Sequence, residues 1–156
     1  MRQKDGLVRF AMMGLAALLF NIAATGAVVH QAVYVEAGGP GIFLSVNYEN
    51  RFTETLAWRV GFGFALLGYT VPVMINFLMF PSPHHLEFGI GIAPGEFAVL
   101  LPGTTPRPVV LLGAHIGYRY QPPQGGVLLR LGFTPLLHPE SLTLLPWGGL
   151  SLGWAF

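Results

Sequence analysis

Residues 54–65 read ETLAWRVGFGFA, and they sort by parity. Leu56, Trp58, Val60, Phe62 and Phe64 are large and apolar, whereas Ala57, Arg59, Gly61, Gly63 and Ala65 are small or charged. A helix would scatter both sets around its circumference. An extended strand places side chains two apart on the same face. The segment therefore predicts a strand with one bulky apolar face and one nearly bare face.

The same rhythm recurs along the chain. In IFLSVNYENR, Ile42, Leu44, Val46 and Tyr48 oppose Phe43, Ser45, Asn47 and Glu49. In TVPVMINF, Val71, Val73, Ile75 and Phe77 oppose Thr70, Pro72, Met74 and Asn76. LEFGIGI sets Leu86, Phe88, Ile90 and Ile92 against Glu87, Gly89 and Gly91. LGAHIGYRY sets Leu112, Ala114, Ile116, Tyr118 and Tyr120 against Gly113, His115, Gly117 and Arg119, and VLLRLGFT sets Val127, Leu129, Leu131 and Phe133 against Leu128, Arg130, Gly132 and Thr134. The final GLSLGWAF alternates Leu150, Leu152, Trp154 and Phe156 with Ser151, Gly153 and Ala155. With the weaker AVYVEAG at residues 32–38 these segments predict eight strands, an even number that suits a closed barrel.

Composition agrees with a membrane setting. Of 156 residues, 53% are hydrophobic and only 10% charged, against about 25% charged in ordinary soluble domains. Only helices and closed barrels satisfy every backbone amide inside a bilayer. The uncharged run at residues 60–80 is long enough for a spanning helix, but Gly61, Gly63, Gly68 and Pro72 interrupt it, and thirteen prolines and twenty-one glycines punctuate the chain at strand-like intervals. A soluble barrel would place its large apolar residues inside and its charges outside. Here the charges share a face with the glycines, so the bare face is predicted to line a narrow lumen and the bulky face to meet lipid.

Residues 1–27 read as a secretory signal peptide. MRQKDGLVR is basic, an apolar run follows, and Thr25 and Ala27 suit cleavage; an N-terminal membrane helix is the competing reading. The barrel is assigned to residues 28–156. Beyond the leader five arginines stand against six glutamates, which offers no basic patch for nucleic acid. Without cysteine, neither a disulfide framework nor a thiolate metal site can form.

Threading the strands with GGPG as the first outer turn puts both termini on the periplasmic side. The inner turns then fall near Thr53 and Glu54, at PSPH and at QPPQGG. The outer connections fall near Leu67 and Gly68, at the long PGEFAVLLPGTTPRP and at LLHPESLTLLPW. This threading gathers Tyr48, Trp58, Phe77, Tyr118, Tyr120 and Phe156 at the periplasmic rim as an aromatic girdle.

The closing alternation of Leu150, Leu152, Trp154 and Phe156 is similar to the C-terminal strand signal of Gram-negative outer-membrane β-barrel proteins. That resemblance implies recognition by the barrel-assembly machinery and residence in the cell outer membrane, among its lipid. SVNYENRF, GYRYQPPQGG, LRLGFTPL and PWGGLSLGWAF resemble small outer-membrane barrels common in Bacteroidota. The likeness implies location and a porin-like transmembrane fold, and it carries over no activity, cofactor or catalytic residue.

Glu49, Arg51, Arg59, Glu87, Arg119, Arg130 and His115 are predicted to face the lumen. Charges confined there need partners, since an unpaired buried charge costs several kcal/mol. An ion or proton path is one reading; a salt-bridged plug is favoured, with His115 as a hydrogen-bonded lumen filler. His84 and His85 face opposite sides and cannot share a metal, so no metal site is expected. His138, Glu140 and Ser141 hold the residue types of a hydrolase triad, but neighbours on one loop do not make that geometry. The outer loops are apolar, exposing Phe97, Val99, Leu100, Leu101, Leu142, Leu144, Leu145 and Trp147 if they protrude. They are read either as strand extensions and mouth covers or as a docking surface for a partner protein or lipid. The expected function is structural or interaction-based; a lipid A deacylase or acyltransferase, or a narrow solute path, is the alternative.

Overall fold

A computed structural model describes residues 29–65, 67–80, 83–98 and 105–156. The signal-peptide expectation and Val99, Leu100 and Leu101 lie outside the described residues. The strands are β1 (Gln31–Gly38), β2 (Leu44–Arg51), β3 (Leu56–Ala65), β4 (Gly68–Thr70), β5 (Val73–Met79), β6 (His84–Phe97), β7 (Arg107–Tyr120), β8 (Gly126–Phe133), β9 (Leu136–His138), β10 (Thr143–Leu145) and β11 (Gly148–Ala155). β4 and β5 lie along one course between β3 and β6, interrupted at Pro72; β8 continues into β9 beside β7, and β10 into β11. Eleven segments thus form eight antiparallel barrel strands. The sheet closes where β1 pairs with β2 on one side and β11 on the other, with Val33 opposite Trp154 and Val35 opposite Leu152. Closure leaves no edge along the barrel wall.

The two faces separate as the alternation requires. Along β2, Ser45, Asn47, Glu49 and Arg51 are buried and Leu44 and Val46 exposed. The outer surface carries Val35, Phe62, Ile75, Ile90, Leu112, Leu129, Leu131, Leu150 and Leu152, from 42% to 70% exposed. Glycine on the inner face is a matter of space: a side-chain carbon at Gly61 would meet the Asn47 amide on the neighbouring strand, and one at Gly132 would meet the His115 ring. Asn47 and His115 thus each lie over a glycine on a neighbouring strand.

Three details differ from expectation. Alternation places Ile42 on the outer face, but a 3-10 turn at Gly39–Gly41 ends in Ile42 with φ 74°, so Ile42 turns inward and is buried while Phe43 faces out. The parity restarts at Leu44. The long outer loop begins and ends as strand: β6 and β7 form a ladder running out to Phe97 opposite Arg107. The outer stretch LLHPESLTLLPW is likewise a small hairpin, with His138 opposite Thr143 and Leu136 opposite Leu145.

Candidate functional site

The lumen is built from side chains that alternation sends inward from every barrel strand. Arg59 on β3 reaches Glu36 on β1, Nη1 to Oε1 at 3.2 Å. Glu36 also faces Arg130 on β8 at 3.5 Å, and Arg130 grips Glu87 on β6 with Nε to Oε2 at 2.9 Å and Nη2 to Oε1 at 2.5 Å. Glu87 lies 3.7 Å from Arg119 on β7, which pairs with Glu49 on β2 at 2.5 Å. The result is an alternating chain, Arg59, Glu36, Arg130, Glu87, Arg119, Glu49, that crosses the lumen with three positive and three negative charges. All six side chains are at most 2% exposed.

Neutral groups complete it. Tyr34 accepts a hydrogen bond from Arg59 at 3.1 Å, and its ring lies 4.8 Å beneath the Arg130 guanidinium, a cation–π contact. Ser151 donates to Glu36 at 3.3 Å and Asn76 to Glu49 at 3.3 Å. Such a network holds its shape because each charge is desolvated against a partner; removing one member of a buried pair costs about 3–5 kcal/mol.

Of the residues predicted to share the lumen, Arg51 is also buried, but it bonds the Gln121 amide oxygen at 2.8 Å and makes no ion pair among the described residues. His115 shares a 2.8 Å hydrogen bond with Thr134 and stands outside the ion chain. His85 turns inward and bonds the Phe80 carbonyl at 2.9 Å, while His84 turns outward against Tyr118 and Tyr120. His138, Glu140 and Ser141 do not assemble a triad. The Ser141 backbone N–H donates to His138 Nδ1 at 3.2 Å, the Ser141 hydroxyl donates to Thr143 at 2.9 Å, and Glu140 is exposed.

The outer mouth is apolar. Ile42, Ala93, Phe97, Val109, Leu111 and Leu136 form a buried cluster against which Ala65, Leu145 and Trp147 pack. Trp147 donates from its indole to the Ile42 carbonyl at 2.9 Å and meets Phe43 edge-on at 6.1 Å. Phe97, Leu145 and Trp147 thus cover the mouth, whereas Leu142 and Leu144 are 78% and 61% exposed at the tip of the β9–β10 hairpin. A cavity of about 80 Å³ remains between the cluster and that hairpin.

Tyr48, Trp58, Phe77, Tyr118, Tyr120 and Phe156 lie toward the ends of their strands nearest the termini, Tyr48 meeting Trp58 edge-on at 5.7 Å. Leu150, Leu152 and Trp154 project from the outer face of β11, the strand that closes the barrel. A second aromatic set at the opposite end escaped the sequence reading: Phe62 lies 5.3 Å from Phe64 and stacks on Tyr69 at 6.0 Å. Glu36 and Tyr34 escaped it too. The parity of Val33 and Val35 was the available signal, since both residues share the face opposite those valines.

No family model and no curated protein matches the sequence. Solved structures match it in fold. The N-terminal β-barrel domain of Pseudomonas aeruginosa OprF is similar with a TM-score of 0.62 at 11% identity, covering 83% of this chain and 98% of that one. The Yersinia pestis outer membrane protein Ail, in a phospholipid bilayer nanodisc, is similar with a TM-score of 0.50 at 12% identity, over 82% of this chain and 99% of that one. At these identities the likeness is one of architecture: the chain has the eight-stranded barrel fold of outer-membrane proteins.

Proposed function

We propose that this chain is an integral protein of the Gram-negative outer membrane, a closed barrel that conducts nothing and acts as a structural or anchoring element through its outer end. The observation that carries the reading is the inversion of polarity. Three glutamates and four arginines are buried inside, while the outer wall is a continuous belt of exposed leucine, isoleucine, valine and phenylalanine. Water cannot host that wall and a bilayer can. The neutral ion chain across the lumen supports the plug over the solute path, because a permeating ion would have to separate pairs that are fully desolvated.

The exposed leucines at the β9–β10 tip support a partner-binding role at the cell surface. Outward-facing Leu150, Leu152 and Trp154 on the closing strand support the assembly-signal reading. The lipid-modifying alternative draws no support from the His138 region, where the ring nitrogen is engaged by a backbone N–H. The test is fractionation followed by planar-bilayer recording of the purified protein. Recovery with outer-membrane markers and flat current traces are expected; reproducible conductance steps would sink the plug, and recovery as a soluble protein would sink the membrane assignment.

A further inference from the structure

Arg51 is the odd charge in the lumen. The other three buried arginines are matched one for one by Glu36, Glu49 and Glu87 in the ion chain. Arg51 is 6% exposed, ends β2, and meets no carboxylate within 4 Å among the described residues. Glu54, in the turn that follows, is exposed.

What Arg51 meets is a second guanidinium. Gln121, the residue after β7, accepts at its amide oxygen from Arg51 at 2.8 Å and from Arg119 Nε at 2.8 Å, with Arg119 Nη2 at 2.5 Å. Two cations thus converge on one neutral oxygen. His85 lies within electrostatic reach of both and is 4% exposed. Its Nδ1 is taken by the Phe80 carbonyl. Among the described residues, Arg51 Nε, Arg119 Nη1 and His85 Nε2 are buried without a hydrogen-bond partner. Backbone bonds from Arg51 to the His30 carbonyl at 2.7 Å and from Gln121 to the Pro83 carbonyl at 2.8 Å wall the group in at the barrel end that carries the termini.

Arg119 is spent on Glu49, Glu87 and Gln121, but Arg51 Nε and His85 Nε2 keep unused donor positions beside an arginine with no carboxylate partner among the described residues, and a guanidinium matches a planar or tetrahedral oxyanion with paired hydrogen bonds. A closed lumen makes the charge expensive to leave unmatched. We infer that the mouth at this end of the barrel binds one small oxyanion, a phosphate or a carboxylate, beside Arg51 and His85, and that this anion supplies the counter-charge Arg51 lacks among the described residues.

The test uses the folded protein in a neutral glycoside detergent, with inorganic phosphate titrated against sodium chloride at constant ionic strength. The readout is the temperature at which the heat-modifiable band unfolds. The wild type is expected to gain several degrees along a saturable curve, with acetate competing for the same site. R51Q is expected to lose the saturable part and, in chloride alone, to unfold no lower than the wild type, since it removes the surplus charge. Identical phosphate curves for the two proteins would overturn the site, and so would a wild type that responds only linearly, as phosphate acts on any protein by exclusion from its surface. Should R51Q fail to fold, H85Q leaves the arginine balance intact. A phosphate midpoint raised at least threefold supports the site, and an unchanged midpoint rejects it.

Discussion

Arg130 and Glu87, 43 residues apart in sequence, meet in the lumen through two parallel hydrogen bonds of 2.9 and 2.5 Å. The pair sits at the centre of the ion chain, and its position there governs what its loss should do. Arg130→Ala leaves Glu36 and Glu87 short of a counter-charge at once and should cost about 3–5 kcal/mol. Replacing both partners, Arg130→Met with Glu87→Leu, leaves Arg59 with Glu36 and Arg119 with Glu49, two neutral pairs, and should cost markedly less than the single change. Urea unfolding in lipid vesicles measures both; a double variant weaker than R130A would mean the network is worth more than its charge balance.

Arg59 stands at one end of the same chain. Arg59→Ala removes a 3.2 Å partner from Glu36, but Arg130 at 3.5 Å and Ser151 at 3.3 Å remain. The unfolding temperature should therefore fall, and fall less than in R130A. A heat series read by gel mobility ranks the three proteins, and R59A indistinguishable from wild type would remove Arg59 from the network.

Gly89 and Gly113 both line the lumen on the bare face of their strands, and the sequence treats them alike. Their surroundings differ. A carbon added at Gly89 would collide with the Asn76 amide oxygen and lie 3.3 Å from the Ile75 carbonyl, whereas at Gly113 its nearest neighbour would be a Leu136 methyl at 3.4 Å. Gly89→Ala should destabilise by about 1–3 kcal/mol through overpacking, and Gly113→Ala should stay within about 0.5 kcal/mol of wild type. Denaturation midpoints of the two variants decide; equal losses would show that the lumen does not discriminate at this scale.

These contrasts mark how far the sequence could be read. Alternation displays the faces because lipid selects bulk and a narrow barrel selects glycine, so Leu56 to Ala65 could be assigned by parity alone. Parity fails wherever the backbone leaves the strand: nothing in the letters around Ile42 announces a residue at φ 74°. Pro94, Gly95 and Pro108 read as loop, yet Pro94 pairs in register with Val110 and Pro108 with Glu96, positions where a missing N–H does not break the ladder. The lumen charges could be placed inside by parity. Which glutamate meets which arginine depends on strand stagger around the closed barrel, and no single segment encodes that.

The outer hairpin separates covering from docking. Trp147 and Leu145 pack on the mouth, but Leu142 in the turn and Leu144 on β10 reach past it, 78% and 61% exposed, on a hairpin that pairs with β7. Leu142 also holds φ 51°, a conformation in which a leucine is strained. Apolar residues held out in this way fit the docking role proposed for the outer end. Leu142→Ser with Leu144→Ser should thus leave the unfolding temperature within a degree or two of wild type, because neither side chain supports the barrel. The same change should abolish crosslinked adducts formed in intact cells through a photoreactive residue placed at Glu140. Wild-type protein that yields only monomer under those conditions would reduce the hairpin to a cover for the mouth.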